Sequence, residues 1–264
     1  MNLRFFVVTA AMVGLMPFAL AEVRTEAIGR EAALDLGYSR FSAVGRILYG
    51  GRVGIFGYNG LGWKYRDENH VYGVNAVLLD LEDGNATTGI GCGLWNSSSG
   101  GFGLIVGGVN SVFDHKGIDV GIVNCISFFQ QGVLDDNVFG AQIGVVNFNA
   151  SSLGVQLGLW NLQNLSCDGT SVQMGLANVM YLVPAGVGAQ MGVWNYAVAN
   201  ESTIAQVGLW NVIKQKSYSK YSEIQLGLFN FSEITRGFST QIGILNLVKD
   251  KESRSWVPFI RMVF

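Results

Sequence analysis

Along most of this chain, apolar and polar residues alternate with period two in short segments, and each segment ends on Gly-x-x-Asn. Ten copies end at Asn96, Asn110, Asn124, Asn147, Asn161, Asn178, Asn195, Asn211, Asn230 and Asn246, at intervals of 14, 14, 23, 14, 17, 17, 16, 19 and 16 residues. A helical-hairpin repeat needs about 33 residues or more, so this period is too short for one. Each unit instead predicts one strand of roughly 8–10 residues and a turn. Turn-forming sequences such as Ser97-Ser98-Ser99-Gly100-Gly101 and Asp168-Gly169 separate the copies, and the variation in length is concentrated there. Upstream, Arg52–Asn59 and Val71–Leu81 read as degenerate strands, Trp256–Phe264 as one more, and Glu26–Leu36 as a short helix capping the first coil.

Period two separates each strand into two faces. In the fifth copy Val155, Leu157, Leu159 and Asn161 share one face, and Gly154, Gln156, Gly158 and Trp160 the other. The first face recurs as Val172, Met174, Leu176 and Asn178, and as Ile224, Leu226, Leu228 and Asn230; being aliphatic, it is expected to be the core face. The second carries Gln142, Gln156, Gln173, Gln190, Gln206, Gln225 and Gln241 in successive copies. The position before each asparagine accepts both Ala177 and Trp194, which argues against tight packing there.

Two all-β architectures fit: a β-solenoid-like stack of parallel coils, and an antiparallel outer-membrane β-barrel of about 12–14 strands. The terminal Phe264, with Met262, Ile260 and Trp256 on its alternation, speaks for the barrel. The asparagine speaks for the solenoid. On the aliphatic face of a barrel it would meet lipid, at a few kcal/mol for each desolvated amide. In a stack, equivalent asparagines bond to one another, because the amide both donates and accepts. The ten asparagines are therefore expected to form a structural ladder. In the same stack Trp160, Trp194, Trp210 and Phe229 would form an outer aromatic stripe beside the glutamine row, a candidate surface for a glycan, a protein or a membrane.

Composition adds the compartment. Arg4, the apolar run from Phe5 to Leu20 and Ala19-Leu20-Ala21 predict an export signal over residues 1–21. The run is shorter than the roughly 18 or more apolar residues of a spanning helix, and Pro17 interrupts it. A cap or linker over 22–46 and a repeat domain over 47–264 follow. The expected location is outer membrane, cell surface or periplasm. The 36 glycines against 3 prolines suit short strands and tight turns, and a net charge of −2 sets nucleic acid aside as a partner. Cys92, Cys125 and Cys167 match no metal motif, and which of them pair, if any, is left open. Cys92 takes a position that is Leu, Ile, Val or Met in most copies and reads as a small buried hydrophobe.

No catalytic, cofactor or metal motif emerges. His70 and His115 lie in polar, loop-like stretches without partners for acid–base work. Asp135 and Asp136 form a polar turn with too few oxygen ligands for calcium. The chain therefore reads as a non-enzymatic envelope protein acting as a structural or interaction scaffold. An outer-membrane barrel with a pore or structural role is the alternative.

The segments Gly-Val-Gln-Leu-Gly-Leu-Trp-Asn at 154–161 and Ser-Thr-Gln-Ile-Gly-Ile-Leu-Asn at 239–246, with Trp-Val-Pro-Phe at 256–259, resemble the bacterial surface-repeat family named from Leptospira surface-repeat lipoproteins. The resemblance covers about residues 47–264 and is specific through repetition. It implies an envelope or surface-exposed protein of unknown function, with no catalytic residues to carry over. The lipidation cysteine of many members is missing here, which puts a lipid anchor in doubt.

Overall fold

The computed structural model describes residues 31–263 apart from short connecting stretches, of which 60–68 and 127–138 are the longest. The export signal, Cys167, Asp135 and Asp136 lie outside the described residues. The chain divides into two compact units, residues 1–117 and 118–264.

Unit 1 contains β1 (Glu31–Leu36), β2 (Ser39–Phe41), β3 (Ile47–Asn59), β4 (Asn69–Asp80), β5 (Asn85–Ser98) and β6 (Gly100–Val112). Its neighbours run β1-β3-β4-β5-β6, all parallel, and β2 pairs in parallel with β3. The helix expected over Glu26–Leu36 is corrected where it is described: Glu31–Leu36 is strand, hydrogen-bonded along β3. Its backbone groups find partners on a sheet edge that a helix would have left bare.

Unit 2 holds β7 (His115–Ile126, beginning at the boundary), β8 (Phe139–Asn149), β9 (Leu153–Leu165), β10 (Gly169–Leu182), β11 (Gly186–Ala199), β12 (Ser202–Gln215), β13 (Tyr221–Glu233), β14 (Gly237–Lys249) and β15 (Arg254–Val263). From β8 to β14 every neighbouring pair is parallel, and like residues lie over like: Gln156, Gln173, Gln190 and Gln206 in one column, Asn161, Asn178, Asn195 and Asn211 in another. The last strand, β15, turns back antiparallel on β14. Parallel, in-register neighbours make successive copies the coils of a β-solenoid. The barrel alternative falls, because consecutive spanning strands of a barrel are antiparallel.

The faces are the reverse of the sequence expectation. The seven repeat glutamines from Gln142 to Gln241 are 0–2% exposed, whereas Leu159, Leu176, Met174 and Leu226, read as core, are 38–53% exposed. Nor do the asparagines share the aliphatic face. In β9, Gln156 points inward and Leu159 and Trp160 both point outward, after which Asn161 and Gln163 point inward again. Two consecutive outward residues shift the alternation by one, so Gly-x-x-Asn is a corner at which each coil turns on itself. Strict period two carried across that corner puts asparagine and leucine together; the fold separates them. The solenoid is present, but the asparagine needs no rescue from lipid, because it was never on the apolar side.

Further inward positions complete the interior. Two residues after each asparagine stand Gln163, Met180, Ala197, Ile213, Ser232 and Val248, all buried. Met180, Ala197, Ile213 and Val248, with Ala199 and Ile204, make the apolar cluster of unit 2. The interior is thus part amide and part aliphatic.

Candidate functional site

In unit 2 each ladder asparagine from Asn124 to Asn230 donates from Nδ2 to the Oδ1 of the next one, at 2.8–2.9 Å. The same Nδ2 donates to a backbone carbonyl of the next coil, from Ile143 O to Ile242 O, at 2.9–3.0 Å. Asn246, on the last parallel coil, turns its Nδ2 to Gly243 O at 3.3 Å. In unit 1, Asn96 donates to Asn110 Oδ1 at 2.8 Å and to Val106 O at 3.2 Å. Parallel strands set equivalent side chains about 4.8 Å apart, a spacing that stacked amides span with near-linear hydrogen bonds.

The glutamines form a second ladder that the sequence reading missed, having placed them outside. Each Nε2 from Gln156 to Gln241 donates to Oε1 of the preceding glutamine at 2.7–2.9 Å. From Gln142 to Gln225 it also donates to the carbonyl six residues later in its own coil, at 3.0–3.3 Å. That second bond crosses the coil interior and ties the strand before the corner to the strand after it. Asparagine N–H groups point toward later coils and glutamine N–H groups toward earlier ones, so the two rows of amide dipoles oppose each other. The missed signal was present in the sequence: seven glutamines at one repeat position is a regularity that a solvated face does not require.

The motif glycine makes room for both. A Cβ on Gly158, Gly175, Gly192, Gly208, Gly227 or Gly243 would stand 2.0–2.3 Å from the carbonyl oxygen of the motif glycine one coil earlier and 2.5–2.7 Å from an asparagine Nδ2. Any larger residue collides with backbone, which cannot retreat without breaking the sheet.

At the corner, the predicted stripe is real in direction but uneven. Trp160 is 59% exposed, Trp210 52% and Trp194 38%, with Phe229 half-buried. Trp210 and Phe229 stack with centroids 4.4 Å apart. Trp194 stacks instead on Tyr196 at 6.0 Å, and Ala177 interrupts the row between Trp160 and Trp194. The stripe does not run beside the glutamines, which are inside. It is flanked by the outward aliphatic columns. A shallow, open hollow of about 490 Å³ lies beside the interruption, lined by Val146, Trp160, Leu162 and Val179 among others.

No family model matches the chain, and neither a curated protein nor a solved structure matches it. Among the described residues no three His, Cys, Asp or Glu side chains gather closely enough to hold a metal ion, and no helix is long and apolar enough to cross a membrane. His70 and His115 fall at the starts of β4 and β7, in strand rather than in the loops expected for them. Cys92 is half-buried on an outward column rather than buried, because the whole aliphatic face it belongs to is turned out. Cys92 and Cys125 are free thiols; burial raises the pKa of both, that of Cys125 to about 11. A raised thiol pKa disfavours the nucleophilic thiolate.

Proposed function

We propose that this protein is a non-enzymatic, exported scaffold of the bacterial cell envelope, akin to the surface-repeat proteins its motif resembles. The observation that carries the reading is how its polar side chains are spent. The buried amides bond to one another and to backbone in two ladders, so the most regular polar groups of the chain hold coils together; the Oε1 of Gln241, at the end of its ladder, is left unpaired but buried. What unit 2 turns outward around the corner of each coil is aliphatic and aromatic, a surface suited to contact rather than to bond making and breaking. Export is supported by the N-terminal segment with Arg4, its apolar run and Ala19-Leu20-Ala21.

Expression of the full chain in a bacterial host, followed by mass analysis and fractionation, tests this reading. Cleavage after Ala21 and recovery in the envelope or periplasmic fraction is the expected result. An uncleaved chain in the cytosol overturns it.

A further inference from the structure

We infer that the outward side of unit 2 rests against the acyl surface of a lipid bilayer. The inference deepens the envelope-scaffold reading and depends on it for the compartment in which such a surface is met.

In β9–β14 the stretch from seven residues before each asparagine to one after it (154–162, 171–179, 188–196, 204–212, 223–231 and 239–247) contains a single charged residue, Glu223. That residue is fully buried, with the Ser239 hydroxyl donating to its Oε1. No charge on these stretches points outward, so nothing there offers an ion pair to a folded partner. Charge returns three residues after the asparagine, with Lys214, Glu233 and Lys249. Lys249 and Glu233 neutralise each other at 2.6 Å.

Extent comes next. In the three outward columns four, two and one residues before the asparagine, fifteen large apolar side chains of β9–β14 are 38–59% exposed. At about 200 Å² for a large side chain, this amounts to on the order of 1,000 Å² or more of nearly continuous apolar surface. The largest apolar patch on an ordinary monomer is about 300–600 Å².

Shape then separates the occupants. The apolar surface turns through the corner of the coil, and a second copy would carry the same corner, so two rigid copies meet over the columns on one side of it only. Within a column the residues interchange freely: Trp160, Ala177, Trp194, Trp210, Phe229 and Leu245 succeed one another. A rigid partner demands complementary shape, whereas a fluid hydrocarbon phase demands only apolarity. The corner indoles have the apolar body and polar N–H that favour the boundary of such a phase.

The test uses the full processed chain, handled in mild detergent and diluted into phosphatidylcholine vesicles. Co-flotation is expected, undiminished in high salt because no charge pairing drives it. Tryptophan fluorescence should shift to the blue and be quenched by brominated acyl chains. The double substitution Leu209→Glu/Leu228→Glu should lower flotation at least ~10-fold, since each outward charge opposes apolar transfer, while leaving the far-UV β signal intact. If that variant does not fold, the quenching of the unaltered protein decides alone. Absence of both flotation and quenching overturns the proposal, as does binding that high salt releases. A discrete dimer with unquenched indoles also overturns it and assigns the surface to a second copy. Recovery from the envelope without flotation leaves the scaffold reading standing and removes the lipid. Flotation of a chain that is never exported does the opposite.

Discussion

Asn195 holds two coils at once: it receives Asn178 Nδ2 on its Oδ1 and gives its own Nδ2 to Asn211 Oδ1 and Val207 O. Asn195→Ala strands at least two buried polar groups, at about 1–3 kcal/mol each. A loss of about 2–4 kcal/mol in urea unfolding is expected. Asn195→Asp keeps the shape but removes both donations, so at neutral pH it should destabilise at least as much as alanine; a milder effect would show that the ladder bonds are not what the position requires. Gly192→Ala places a methyl 2.1 Å from Gly175 O, and soluble expression should fall sharply although alanine is the smallest change available. Cys125 gives a chemical readout of burial. With its pKa pushed up to about 11, the alkylation rate of a Cys92→Ser/Cys167→Ser protein should still be rising between pH 9 and pH 10.5. A plateau by pH 9.5 would contradict that environment. At this scale the asparagine and glycine columns were legible in the sequence, because repetition at fixed spacing survives any folding. The glutamine column was legible as a column only, since a row of amides reads equally well as solvated or as paired until neighbours are placed.

At the scale of the element, Glu31–Leu36, read as helix, is strand, and Ser97-Ser98 and Gly100-Gly101, read as turn, lie in β5 and β6, whereas the strand of every motif copy was legible. The corner was not. Alternation is a local signal, and a two-residue outward step such as Leu159-Trp160 looks like continued alternation when one of the pair is aliphatic and the other aromatic. The final strand shows the same limit. Trp256–Phe264 was identified as a strand, but its antiparallel pairing with β14 depends on what lies beside it. Here Arg261 stands in register with Gln241 and bonds Ser255 O and Oγ at 2.9 and 2.7 Å. An open parallel edge is a template for another chain. A chain ended after residue 253 should therefore associate end to end, seen as concentration-dependent light scattering; a monodisperse truncated protein would show that β15 is not needed as an edge cover.

At the scale of the molecule, unit 2 has an interior of paired amides and buried apolar side chains such as Met180 and Ile213, with aliphatic columns turned outward. In such a stack each coil contacts only its neighbours, and stability is close to a sum of nearest-neighbour terms. A defect in one coil should stay local. Hydrogen exchange of Asn195→Ala is expected to quicken in β10–β12 far more than in β14. Uniform quickening across the unit would mean that its coils unfold as one body.

By itself the sequence determined the period, the number of motif copies, the strand in each copy, and the requirement that ten asparagines occupy one equivalent place. These follow from spacing, which no folding alters. Only the tertiary structure decided which side faces in. Burial of aliphatic side chains is the ordinary expectation, but a thin coil that stacks on identical coils brings like amides to hydrogen-bonding distance in every layer. Inside, those amides satisfy one another, and the alternation shifts at the corner so that asparagine joins glutamine. The aliphatic face is displaced outward by that choice.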